Sequence, residues 1–339
     1  MEDSGASAYV YAKASALLSK TYIGPRASKL FSAKSLSELW TLIFKTDVPL
    51  VPQVLLGEMI EEEAEKRFIK QYVSLIEVYE KPNELLTDML LVYDIENLKE
   101  IGAALCSKEQ SMPHVLEFKK YSVLNYNAWP DIAAITKGSP LSWYKSVPAE
   151  HEQQYIEARL DNQYVKMMWE SVNSFSGDTG SSVINFVRKD FVMMNIIWAL
   201  RLKVYYEMST DQIIEHLASA GGKAGPGDPL SGPAVAILDK PVDSFADWEN
   251  WKYAKMLNPH EDGVVWRIDP CWIENVYKAG MYRRAQNLFH ENPLSSLSLV
   301  AWFKIKQHEC DIIRTAVEGI RLNVDAEEAK KFAGIITEE

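Results

Sequence analysis

The stretch Leu90-Leu91-Val92-Tyr93-Asp94-Ile95-Glu96-Asn97-Leu98-Lys99 places Asp94 and Asn97 one helical turn apart within an apolar run. The pattern returns as Phe191-Val192-Met193-Met194-Asn195-Ile196-Ile197 and again as His308-Glu309-Cys310-Asp311-Ile312-Ile313-Arg314. Each copy sits inside a long amphipathic segment with a polar cluster at its middle. A recurrence of roughly one hundred residues is the size of a subdomain, not of a solenoid unit. Three such units predict a pseudo-threefold body, better suited to gripping another protein than to enclosing a small substrate.

Outward from these stretches the periodicity is helical. Between Leu55 and Tyr79, Met59, Ile60, Phe68, Ile69, Tyr72, Val73 and Ile76 recur at steps of three and four. Glu62 with Lys66 and Glu63 with Arg67 support this helix in the favourable order. A second segment starts at Pro82-Asn83, with Asn83 as cap, and runs to Leu105. Further helices are expected from Pro148 to about Phe175, ended by the polar turn Ser176-Gly177-Asp178-Thr179-Gly180, and from about Ser182 to Met208. Another is expected from Asn292-Pro293, with Asn292 as cap, through Ile320. A short one opens at Asp325 with the spacing of a capping box. The Gly- and Pro-rich run Ala218 to Pro233 reads as a flexible surface linker between the second and third units. Sustained period-two alternation is absent, so few strands are expected. The expected fold class is all-α, with helical subdomains over 1–110, 111–228 and 229–339 and the N-terminal helix packed on the third.

With 339 residues, 47% of them hydrophobic, the chain has material for a large core. Its net charge of −11 and lack of a basic stripe argue against nucleic acid as a partner. The same sign disfavours direct lipid anchoring, since anionic membranes reward each nearby Lys or Arg by about 1 kcal/mol. At a membrane, such a chain would be held by another protein. Cys106, Cys271 and Cys310 are scattered and contain no CxxC, which predicts a reduced, cytosolic chain without disulfides or a zinc site. The start, Met1-Glu2-Asp3-Ser4-Gly5, is acidic and unlike a signal peptide. The apolar stretch Phe191–Leu200, interrupted by Asn195 and stopped by Arg201, falls short of the ~20 residues a spanning helix needs.

Catalytic and cofactor motifs fail one by one. Gly222-Lys223 suggests a phosphate loop, but Leu217 and Ala224 stand where Gly and Ser or Thr are required. His151-Glu152-Gln153-Gln154-Tyr155 has Tyr155 at the second zinc-ligand position. His308, Glu309, Cys310 and Asp311 are consecutive, so on a helix they point about 100° apart and cannot converge on one ion; His308 reads as a core or interface residue. No DDxxD supplies clustered carboxylates for magnesium, and no Gly-x-Ser-x-Gly elbow is present. No catalytic, cofactor or metal residues are assigned.

The repeated polar cluster is what remains. Asp94-Ile95-Glu96-Asn97-Leu98 resembles the D-x-x-N-L signature of the C-subunit family of the rotary V-type ATPases, which includes the eukaryotic d protein of the membrane sector. Leu160-Asp161-Asn162-Gln163-Tyr164 is similar to that family's LDxxY helix, Asn195-Ile196 with Arg201-Leu202-Lys203 to its N-I followed by R-x-K, and Pro293 to Val324 to its closing helical unit. The resemblance spans nearly the whole chain. Val192 stands where the second repeat usually has Asp, Ala103 where the first often has a base, and Tyr11-Ala12-Lys13-Ala14-Ser15 is only loosely similar to the family's N-terminal A-R-V-R.

The resemblance implies a funnel-shaped, all-helical, non-catalytic rotor component on the cytoplasmic face of the membrane. Its implied partners are the central-stalk subunits and the membrane proteolipid ring, between which it passes torque. Asp94, Asn97, Asn195, Arg201, Lys203, Glu309 and Arg314 are the candidate residues, read as locks that fix helix register. Trp129, Trp143, Trp266, Trp272 and Tyr144, near expected loops and helix ends, are candidate partner anchors.

Overall fold

The computed structural model describes residues 3–175, 177–261 and 263–335. Met1 and Glu2 of the acidic start and Ser176 of the expected polar turn lie outside the described residues. Among the described residues all regular structure is helical. The chain forms two compact units, one made of Met1–Lys81 with Glu249–Glu339, the other of Pro82–Trp248. The first unit opens with α1 (Asp3–Leu18), α2 (Leu36–Phe44) and α3 (Gln53–Ile76). The second contains α4 (Glu84–Asp88), α5 (Leu91–Cys106), α6 (Ile132–Thr136), α7 (Gln153–Asn173), α8 (Gly177–Val204), α9 (Thr210–Glu215) and α10 (Gly232–Val235). The first unit is completed by α11 (Pro270–Glu291), α12 (Ser298–Arg321) and α13 (Ala326–Phe332).

In the first unit α12 is the central element, packed on α3 and α11. Its segment Leu299–Phe303 is buried throughout, so apolar residues surround the helix where a surface helix would show a stripe. Trp302 and Phe303 meet Phe68 and Tyr72 of α3 with ring centroids 4.8–6.2 Å apart. Truncating either ring to Ala would cost about 3–5 kcal/mol. Trp302 Nε1 donates to Ala14 O of α1 at 3.2 Å, and Tyr11 stacks on Phe289 of α11 at 4.9 Å. These contacts fasten the first helix of the chain to the last long ones.

The expected helix start at Asn292-Pro293 is displaced. Asn292 instead ends α11, and the chain turns through 293–297 before α12 begins at Ser298. The cause is α11, whose own start is marked by Asp269, accepting from Cys271 N at 2.9 Å, with Pro270 in the first position. The expected helix from Pro82 to Leu105 is divided. Asn83 caps it as expected, accepting from Leu85 N at 2.9 Å, but α4 closes with a tight Leu90 N to Thr87 O bond before α5 starts. The break lets Leu85, Leu86, Met89 and Leu90 all be fully buried.

In the second unit α7 packs against α4, α5 and α8, and α8 also carries α10. The core beside α5 joins Leu91, Ile95, Leu98 and Ile101 to Val115, Leu124, Ile135, Leu141, Tyr144 and Leu160. The Ala218–Pro233 run is a wound loop, not a flexible linker. Asp228 accepts from Ala220 N at 2.9 Å through one oxygen and from Leu230 N and Ser231 N at 2.9 and 2.8 Å through the other. Gly232 is required here, because a Cβ would lie 2.6 Å from Pro226 O.

Candidate functional site

Each long helix that carries the repeat buries a polar side chain against a returning piece of backbone. On α5, Asp94 is fully buried and Asn97 is 6% exposed. The Asn97 amide donates to Leu116 O and accepts from Leu116 N, both at 2.9 Å, so one side chain serves a whole backbone residue. Asp94 accepts from Val123 N at 2.7 Å and from the hydroxyls of Ser122 and Tyr126, each at 2.6 Å. The Asn97 amide reaches Tyr126 Oη as well, at 2.6 Å. Burial raises the Asp94 carboxyl above its ordinary value, opposed by these three donors. Tyr126 is pushed up by burial and then by the carboxylate beside it, so it stays protonated as a donor.

On α8 the amide is kept and the acid is not. Asn195 is 1% exposed; its amide donates to Ala218 O at 2.8 Å and Leu230 O at 3.1 Å, and its oxygen accepts from Ala218 N at 2.9 Å. The geometry at Ala218 repeats that at Leu116. Val192, at the acid position, is buried at 5% exposure.

On α12 the acid is kept and the amide is not. Glu309 Oε1 accepts from Tyr22 N at 2.7 Å, while its other oxygen receives Lys306, one turn earlier. Both side chains are almost fully buried. Ile312, at the amide position, is 1% exposed. His308, beside Glu309, packs on Tyr282 with ring centroids 5.5 Å apart and its Nδ1 lacks a partner. Burial holds this imidazole below its ordinary value, with nearby Asp311 opposing.

The remaining candidates are cations tying helices to their surroundings. Lys203 donates to the carbonyls of Leu238 and Lys240, the latter at 2.6 Å, and burial lowers its ammonium. Arg314 reaches Glu61 and Glu65 of α3, each at 3.1 Å. Lys99, which shares the repeat position of Arg314, pairs with Asp161 of α7 at 2.6 Å and Glu96 at 2.9 Å. Arg201 is half-buried on α8. The candidates thus form three separate clamps, one per helix, not one converging site. No group of three or more His, Cys, Asp or Glu among the described residues could hold a metal ion.

Sequence reasoning missed the partners that complete the clamps: Ser122 and Tyr126 for Asp94, Lys306 for Glu309, and Asp228 under Asn195. Asp228-Pro229-Leu230-Ser231 carried a usable turn signal; Ser122 and Tyr126 lie in a loop segment without one, and Lys306 sits on α12 itself, one turn before Glu309. Of the proposed aromatic anchors, Tyr144 and Trp266 are core residues at 3% and 5% exposure, while Trp272 is exposed. Burial pushes the Tyr144 hydroxyl up to about 12.

Comparison with known proteins gives a consistent answer. Residues 6–332 match the family described as ATP synthase (C/AC39) subunit. An uncharacterized protein of Treponema pallidum is 26% identical over 97% of this chain and 96% of its own length. The C subunit of the A-type ATP synthase of Thermococcus gammatolerans is 22% identical over 98% of this chain and 90% of its own.

Proposed function

We propose a rotor role for this chain, which belongs to the ATP synthase (C/AC39) subunit family. In this reading it is a non-catalytic part of a V-type ATPase. It sockets the central stalk onto the membrane proteolipid ring and passes torque between ATP hydrolysis or synthesis and the movement of protons or sodium ions. The observation that carries it is the family match over residues 6–332. The three buried clamps support it physically. A torque coupling must resist shear between its helices, and side chains such as Asn97 and Asn195, which satisfy both groups of Leu116 and Ala218, or Glu309, which takes Tyr22 N–H, slip only by orphaning backbone groups, at about 1–3 kcal/mol per group.

The division into three subdomains over 1–110, 111–228 and 229–339 belongs to the same proposal, as does the placement on the cytoplasmic face. No helix among the described residues is long and apolar enough to cross a membrane. Attachment through stalk and ring proteins, without a lipid anchor, accords with the net charge of −11. The chain itself makes and breaks no covalent bond.

The test is recovery of the tagged protein from detergent-solubilised native membranes, with mass spectrometry of what accompanies it. Stalk subunits and a proteolipid ring are expected. A folded, well-expressed sample that brings neither, and brings other partners instead, would replace the rotor with a helical scaffold.

A further inference from the structure

We propose that the cleft of the first unit lined by α1, the segment 21–26, α11 and α12 binds a free small organic acid, a single carboxylate carried on an apolar body. This goes beyond the rotor role and does not rest on it. The cleft has a volume of about 360 Å³, within the ~300–1,000 Å³ typical of small-molecule sites. Leu18, Ile23, Phe289 and Ile305 make one part of its lining apolar. Ser15, Arg26, Tyr282, Gln286 and His290 supply polar groups. No Asp or Glu lines it, in a chain that has 47 of them and a net charge of −11.

The walls are held in place by groups already described. The α12 clamp fixes the segment 21–26, because Glu309 accepts from Tyr22 N at 2.7 Å and Thr21 and Ile23, on either side, face the cleft. Gly24 follows with φ 53°, the left-handed region, and brings the backbone so close to α11 that a Cβ would lie 3.3 Å from Tyr282 Oη. Pre-formed walls spare a ligand the cost of ordering them.

The donors select the ligand. Ser15 Oγ is buried without a hydrogen-bond partner, a costly state for a hydroxyl, and the cleft is the space in which its partner can sit. Burial raises the Tyr282 hydroxyl above its ordinary value, opposed by Gln286, so it remains a donor. Arg26 donates one N–H to Ser19 O and lies over the Tyr22 ring at 5.7 Å, but it meets no carboxylate among the described residues, and its remaining N–H groups are uncommitted. His290 is engaged through Nδ1 by the Tyr11 hydroxyl at 2.7 Å, so the fixed charge of the cleft is Arg26 alone. One guanidinium balances one negative charge, which suits a carboxylate and not a doubly charged phosphate. Water would satisfy Ser15, but the apolar part of the lining offers it no bonds. The volume and the net charge of −11 favour a free acid over a fatty acid held in a bilayer.

The experiment titrates the full chain with phenylpropionate in a calorimeter, with phenylpropanol as the same body without the charge. The acid is expected to bind with a Kd of about 1 mM or tighter, and the alcohol at least about tenfold more weakly. Arg26→Gln is expected to weaken the acid at least about tenfold. Ser15→Ala is expected to weaken it roughly threefold to tenfold at unchanged or higher Tm, since in the free protein it removes a hydroxyl that has no partner. Should Arg26→Gln disturb the fold, Ser15→Ala still reads the site. No binding of phenylpropionate, equal affinity for the alcohol, full affinity in both variants, or sedimentation with oleate-containing phosphatidylcholine vesicles that phenylpropionate does not prevent would each overturn the proposal. Stalk and ring proteins are recovered or lost in the separate tagged isolation, so the rotor role and the acid site can fail independently.

Discussion

Replacing Asn195 by Leu removes the α8 clamp while keeping the side chain's approximate volume. The exchange leaves Ala218 N–H, Ala218 C=O and Leu230 C=O without the bonds of 2.8–3.1 Å that they now make. Ala218 is 6% exposed and Leu230 is fully buried, so water does not take over in place. Each orphaned group costs about 1–3 kcal/mol, and with some relaxation of the loop the sum is about 4 kcal/mol. For a cooperative body of 150–250 residues, that lowers Tm by roughly 8–16 °C. Thermal unfolding followed by helical circular dichroism reads the loss. If the loop instead detaches before global unfolding, the damage is capped by that opening and shows as faster proteolysis at the exposed Gly221 and Gly222. A variant within about 2 °C of wild type, with unchanged cleavage there, would refute the clamp.

On α12, Glu309→Gln keeps an acceptor for Tyr22 N but leaves the Lys306 ammonium buried without its anion, at a cost of about 3 kcal/mol or more. Adding Lys306→Met should recover most of that in urea unfolding, and no recovery would contradict the pairing. Gly102→Ala on α5 drives its Cβ into the Tyr144 hydroxyl and should destabilise by about 1–3 kcal/mol, with Tyr144→Phe in the same chain relieving it. For His308, burial holds the folded pKa below the ordinary 6.5, so the unfolded chain binds the proton first. Its contribution is complete above 6.5 and lost as pH falls through the folded value, with a slope of at most about 1.4 kcal/mol per pH unit. His308→Phe should flatten the stability profile below pH 6.5, and an unchanged profile would place the titration elsewhere.

The all-helical class was legible because periodicity and caps act locally. Asn83 and Asp325 cap helices where the sequence placed them. Helix α11 escaped notice because its buried stripe, Ile273, Tyr277, Ala285, Leu288 and Phe289, is sparse and interrupted by Arg283 and Arg284, although Asp269-Pro270 announces its start. The polar positions of the repeat were legible as positions, but their partners were not. Leu116, Tyr126, Ala218 and Tyr22 lie 19, 29, 23 and 287 residues from the groups they bind, in irregular backbone that no periodicity describes.

The differences among the three clamps are physically ordered. On α5 the returning segment offers donors at Ser122, Val123 and Tyr126, and Asp94 takes all three without a cation. On α12 the segment offers one N–H, from Tyr22, and the second carboxylate oxygen needs Lys306. On α8 the loop brings its own acid: Asp228 takes the N–H groups of Ala220, Leu230 and Ser231, leaving nothing for a carboxylate at position 192. Val192 is therefore the fitting residue at the acid position of the repeat. Val192→Asp should destabilise the second unit by several kcal/mol at neutral pH, because a buried carboxylate would face neither donor nor cation. Its pKa would rise, so the deficit should shrink as pH falls from 7 toward 5 and the acid becomes neutral. Stability equal to wild type at pH 7 would mean that the loop offers donors beyond those Asp228 binds.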